Sequence, residues 1–159
     1  MPLVWSEAMS LEMPAMDEAH EDIVDQLALV ETASDDNLLD AWNALIDETA
    51  EHFAEEDRWM QATGFAPDNC HSSQHAIVLK IMREGAEKCA KGDLAIVRQM
   101  AYELTVWLPH HVSAMDAGLA LHLKSVGFNP ETGQVDKPEA LPTTALTSCR
   151  SEPCEDHAD

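Results

Sequence analysis

Eight histidines stand in this sequence against one tyrosine and three phenylalanines, and five of them fall where helical spacing lets side chains act together. His52 and Glu56 are four residues apart, as are His71 and His75. Residues so spaced stack on one helical face, and each pair can converge on a single ion. His20 opens an apolar series through Ile23, Val24 and Leu27, and His111 continues one that runs Leu94, Val97, Leu104 and Leu108. These imidazoles therefore sit on stripes that should face a core. Burying five imidazoles and a glutamate without partners costs several kcal/mol, and a shared metal centre removes that cost. The chemistry indicated is metal coordination inside a protein.

The elements that must position these groups read as long helices. Gly64, Gly92 and Gly127 each follow a helix-patterned stretch and suit the left-handed position past a helix end. Starts are signalled by Ser34-Asp35-Asp36, by Pro67-Asp68 and by Asp93. The pattern predicts helices over about 17–32, 35–62, 67–90 and 93–125 and no strands. Short connections make this an all-α, up-down-up-down antiparallel four-helix bundle. The inward series of the second helix runs Leu38, Trp42, Leu45, Thr49, His52, Glu56 and Met60; on the third it runs His71, His75, Val78, Met82 and Cys89. In that topology all five histidines and Glu56 fall at one depth. Asp116 is different. It lies five residues past His111, a rotation of about 140° on an ideal helix, and spacing alone makes it a solvated carboxylate. Pro109 removes a backbone donor, and a kink or break there would be one way to turn Asp116 back.

Length and composition narrow the function. The 159 residues suit one domain. A net charge of -21 repels phosphate backbones and anionic headgroups, which argues against nucleic-acid and membrane-surface partners. No stretch approaches the roughly 18 apolar residues of a membrane span. The start, Met1-Pro2-Leu3-Val4, has no basic segment followed by an apolar run, so a cytoplasmic location with Cys70, Cys89, Cys149 and Cys154 as free thiols is expected. Residues 1–127 form the bundle domain, the first sixteen being an arm in which Val4, Trp5 and Met9 would pack across it. Residues 128–159 carry four of the eight prolines and are strongly acidic, which predicts a mobile tail with Cys149 and Cys154 as exposed thiols.

Several local motifs together resemble the hemerythrins, most closely the single-domain bacteriohemerythrins. They are Val4-Trp5-Ser6, Met16-Asp17-Glu18-Ala19-His20, His52-Phe53-Ala54-Glu55-Glu56 with Met60, His71-Ser72-Ser73-Gln74-His75, and Trp107-Leu108-Pro109-His110-His111-Val112 followed by Asp116. The resemblance covers roughly residues 3–124. It implies a non-haem di-iron centre that binds O2 reversibly, with His71, His75 and His111 on one iron and His20 and His52 on the other. Glu56 and Asp116 would bridge the two irons together with a hydroxide, the family's aspartate having the same spacing after its histidine. Imidazole and carboxylate donors suit iron. Ile23, Phe53, Trp107, Leu108 and Val112 match the family's apolar O2 pocket. The implied role is oxygen transport, storage or delivery to an oxygen-using enzyme, not catalysis. Two rivals are a di-iron oxidase or peroxidase and an O2- or redox-sensing module. The first is disfavoured because carboxylate di-iron bundles use Glu-x-x-His spacing and mostly carboxylate ligands; the second usually needs an output domain. This chain departs from the family at Glu12, where glycine is frequent, and at Pro109. His110 should point away from the centre, His122 and His157 should lie on the surface, and Cys70 reads as a plain neighbour of His71.

Overall fold

The computed structural model describes residues 2–149. Four helical rods form the bundle: α1 (Pro14–Thr32), α2 (Leu38–Ala62), α3 (Cys70–Ala90), and a fourth built from α4 (Leu94–His111) and α5 (Ala117–Ser125). Helix α1 packs on α2, α2 on α3, α3 on α4, and α4 back on α1, which closes the antiparallel ring. Among the described residues there is no strand, only isolated bridges at Phe65–Leu146 and Phe128–Val135. No helix of the described residues is long and apolar enough to cross a membrane.

The helix ends show which local signals count. Proline at the first position pre-sets the backbone of α1. The chain before it is held by Asp17, whose carboxylate accepts from the Ser10 hydroxyl at 2.6 Å and from the Leu11 N–H at 2.9 Å. Within that turn Glu12 adopts φ 54°, a left-handed backbone that favours glycine. The departure at Glu12 is thus a residue held in a glycine-type conformation. Helices α2 and α3 each begin three residues later than the spacing predicts. The Ser34–Asn37 segment forms a closed turn, with Asn37 N–H donating to the Ser34 carbonyl at 3.0 Å. Pro67-Asp68, the expected first turn, lies before α3, and Asn69 caps the helix, accepting from Ser72 N–H at 2.9 Å. Asp93 caps α4 as expected, accepting from Ile96 N–H.

Two apolar clusters fill the interior. One holds Ile23, Leu27, Leu38, Trp42, Leu45, Met82, Val97 and Leu108 among others. The other holds Met13, Met16, Trp59, Met60, Phe65, Leu119, Leu123 and Phe128. The arm packs through Leu3, Trp5, Met9 and Leu11, whereas Val4 is 71% exposed and takes no part.

The segment 128–149 corrects the expectation of a loose tail: it is packed. Its overall composition is polar, but Phe128, Val135, Leu141, Leu146 and Cys149 join the second cluster. Its backbone is tied down as well. Leu146 N–H donates to Gly64 at 2.9 Å, Ala66 N–H to Leu146 at 2.8 Å, and Cys70 N–H to Thr147 at 2.8 Å. The last of these satisfies one of the donors left open at the start of α3. Gly64, at φ 100°, ends α2 where this strap passes alongside; a Cβ there would also collide with the Pro142 ring. The thiol expectation is corrected too: Cys70 is disulfide-bonded, while Cys89 is free and buried and Cys149 free and half-buried. Cys154 and His157 lie outside the described residues.

Candidate metal centre

Between the two apolar clusters lies a wholly buried polar layer. His20, His52, Glu56, His71, His75, His111 and Asp116 are each at most 3% exposed. The donor atoms fall into two groups, each compact enough for one ion: Glu56, His71, His75, His111 and Asp116 in the first, His20, His52, Glu56 and Asp116 in the second. Both carboxylates belong to both groups. Asp116 turns Oδ1 to His71 Nε2 at 2.9 Å and to His111 Nε2 at 3.2 Å, and Oδ2 to His20 Nε2 at 2.9 Å. Glu56 turns Oε1 to His71 and His75 Nε2, both at 3.5 Å, and Oε2 to His52 Nε2 at 3.2 Å. None of these close approaches has hydrogen-bond geometry, so seven imidazole nitrogens, all five Nε2 among them, and four carboxylate oxygens are buried without partners. Neighbouring donors at right angles, each about 2.1 Å from an ion, lie about 3.0 Å apart. The residues present therefore fit metal coordination, and imidazole with carboxylate is a donor set suited to iron.

The local charges agree with ligation. Burial and the Asp116 carboxylate push the Glu56 carboxyl up, but the imidazoles of His52 and His71 outweigh them and hold it down to about 2. Burial also opposes ionisation of Asp116, and His111, His20 and His71 hold it well below the usual carboxylate range. Both carboxylates are thus anionic, as ligands must be. Burial lowers His71, but Asp116, Cys149 and Glu56 outweigh it and push it up to about 12. In His75 burial wins over the Asp57 contact, and its pKa falls.

The position of Asp116 depends on a short irregularity. After His111 the helix widens into a π turn over Val112–Asp116, closed by the Ala117 N–H bonding to the Val112 carbonyl five residues back. One residue more per turn brings a side chain at i+5 onto the face that i+4 occupies in an α-helix. The rod therefore does not break at Pro109, and Asp116 points inward at 0% exposure. Such π turns recur at functional sites.

The comparisons with known proteins agree with this geometry. Residues 13–121 match the family described as hemerythrin HHE cation binding domain. The chain belongs to the hemerythrin family. It is 38% identical to a bacteriohemerythrin of Ralstonia nicotianae over 128 residues, covering 80% of this chain and 93% of the relative. A bacteriohemerythrin of Pseudomonas paraeruginosa is 24% identical over 120 residues, covering 73% and 78%. No solved structure matches the chain.

Around the donor layer this hemerythrin-family chain carries support that sequence reasoning missed. Asp57 faces His75 Nδ1 at 3.0 Å and accepts from the Ser72 hydroxyl at 2.8 Å. Gln74 Oε1 faces His111 Nδ1 at 2.6 Å, and Cys149 Sγ faces His71 Nδ1 at 3.3 Å. Asp57 follows Glu56 and Gln74 precedes His75, so adjacency to a ligand was the one available signal for those two; nothing local marked Cys149. Phe53 stacks on His75 at 3.9 Å and Trp107 on His111 at 4.4 Å. A cavity of about 20 Å³ adjoins the layer, lined by Ile23, Phe53, Trp107 and Leu108 from the expected pocket together with Thr49, Leu45, Met82 and Leu104. That is room for about one water-sized molecule. Val112 is buried but does not line it. His110 is exposed, as expected. His122 is not a plain surface residue: its Nε2 bonds the Thr63 carbonyl at 2.8 Å and its ring meets Phe65 edge-on.

Proposed function

We propose that this chain holds two iron ions and binds O2 reversibly, for oxygen transport, storage or delivery, without catalysing a reaction. The observation that carries this reading is the pair of buried donor groups that share both carboxylates. His71, His75 and His111 would hold one iron and His20 and His52 the other, with Glu56 and Asp116 bridging them beside a hydroxide. Two ferrous ions held there would supply the reducing equivalents that reversible O2 binding needs. The protein does the rest. Its five imidazoles against two carboxylates keep the centre less anionic than a carboxylate-rich set, which favours release of intact O2. The cavity walled by Ile23, Phe53, Trp107 and Leu108 gives a small apolar molecule a site that bulk water does not favour. The bacteriohemerythrin relatives support the same reading.

The test is anaerobic loading with ferrous iron, addition of O2 and its removal, followed by visible spectroscopy and iron analysis. A band that appears with O2 and vanishes on removal is expected. Irreversible oxidation with consumption of peroxide would favour a di-iron oxidase or peroxidase instead. In Glu56→Ala the iron content should collapse; undiminished iron there sinks the ligand assignment.

A further inference from the structure

The three histidines of the larger donor group rest their Nδ1 atoms on three different supports. Asp57 and Gln74 lie within the family's matched range of 13–121, but Cys149 arrives from a strap beyond it. Resting on the metal-binding reading above, we propose that Cys149 is a positioning residue for the metal centre. Its sulfur accepts the Nδ1–H of His71 and fixes the ring with Nε2 facing Glu56 and Asp116.

The chemistry follows from burial. The His71 ring is 0% exposed. When Nε2 serves as a ligand, the ring proton resides on Nδ1 and needs an acceptor, because a buried donor without one is costly. Cys149 Sγ, 3.3 Å away, is that acceptor. Its placement is built rather than incidental. The backbone bonds of Leu146 to Gly64 and of Cys70 to Thr147 bring the strap across the start of α3. On the opposite side Gly118 clears the space: a Cβ there would lie 2.6 Å from the Cys149 carbonyl oxygen and 3.2 Å from its Cβ. Gly118 sits inside α5 without a left-handed backbone. Glycine there weakens the helix relative to alanine, and what it gains is room for Cys149.

Sulfur also makes the support unequal. Asp57 is a carboxylate, Gln74 an amide oxygen, and a thiol is a weak acceptor. Second partners of this kind raise ligand basicity and hold ring orientation. His71 is therefore the least strongly supported donor of the three.

Two measurements on the full chain test this, using Cys149→Ala, Cys149→Ser and Gly118→Ala. In protein loaded with zinc as a diamagnetic probe, nitrogen-edited NMR should show a protected His71 Nδ1–H. It should vanish in Cys149→Ala and persist in Cys149→Ser, whose hydroxyl still accepts. In protein loaded with ferrous iron, Cys149→Ala should release iron to a chelator about 10-fold faster than the parent, and Gly118→Ala, with the thiol intact but displaced, should follow it. Cys149→Ser should restore most of the retention, even where the melting temperatures of the two Cys149 variants match. An unchanged Nδ1–H signal in Cys149→Ala, or parental iron release in both Cys149→Ala and Gly118→Ala, overturns the proposal. A parent chain that binds zinc but not iron or O2 defeats the oxygen reading alone, and the zinc measurement still decides Cys149. A chain that binds neither metal overturns both.

Discussion

The two donor groups share their carboxylates but not their surroundings. Behind the three-histidine group every ring is braced. Asp57, Gln74 and Cys149 meet the Nδ1 atoms, and Phe53 and Trp107 lie flat on His75 and His111, at interplanar angles of 6° and 21°. The His20 and His52 rings meet each other edge-on at 4.9 Å, and their Nδ1 atoms have no hydrogen-bond partner. The apolar cavity is lined by Ile23 and Thr49 together with Phe53 and Trp107, the two rings that stack on His75 and His111. One half of the layer is therefore held by second partners at Nδ1, while the other has none there.

The sharpest way to break this contrast is to remove what the halves share. Asp116→Ala should abolish metal retention in both, giving nearly iron-free protein by elemental analysis; a variant that loses only one iron would show that Asp116 serves a single half. The next largest effect is expected at the bracing. Asp57→Ala should weaken metal binding about 10- to 100-fold by chelator competition, and a loss below twofold would mean that the bracing of His75 is incidental. Filling the cavity by Leu104→Phe should leave iron content unchanged and slow or weaken O2 binding several-fold in stopped-flow measurements. Unaltered O2 kinetics would separate the cavity from the ligand's route.

The smallest expected effect is on stability and depends on pH. In metal-free protein, burial disfavours the His71 proton, but Asp116, Cys149 and Glu56 hold it up to about 12. A raised folded-state pKa contributes stability that is complete below the ordinary histidine value of about 6.5 and fades as pH rises. His52 is raised too, Glu56 outweighing its burial, and acts in the same direction. Glu56, lowered to about 2, contributes stability above its ordinary range and loses it as pH falls. Metal-free protein should therefore melt at a lower temperature at pH 9 than at pH 6. Metal loading should reverse the trend, because bound imidazoles must be deprotonated. Parallel pH profiles with and without metal would contradict this charge assignment.

Much of the architecture was legible because its signals are local. Three- and four-residue spacing put Leu38, Trp42, Leu45, Thr49, His52, Glu56 and Met60 on one face, and all seven are buried. The same periodicity, with short connections, brings His20, His52, His71, His75 and His111 to one level. Asp116 escaped that reasoning because a π turn changes the period, and no residue type in Val112–Asp116 announces it. The segment 128–149 escaped because average composition hides a few well-spaced apolar residues, each of which finds a place in the second cluster.

The sequence by itself determined the helices, the kind of donor each one carries and the depth at which the histidines meet, since helical periodicity and end signals act over a few residues. Only the tertiary structure decided that both carboxylates face both histidine groups, that three of the five rings are braced, and that a strap from beyond the bundle delivers Cys149 to His71. Those outcomes depend on contacts between residues as far apart as His71 and Cys149, 78 positions along the chain. Packing selects such contacts, and no short-range pattern encodes them.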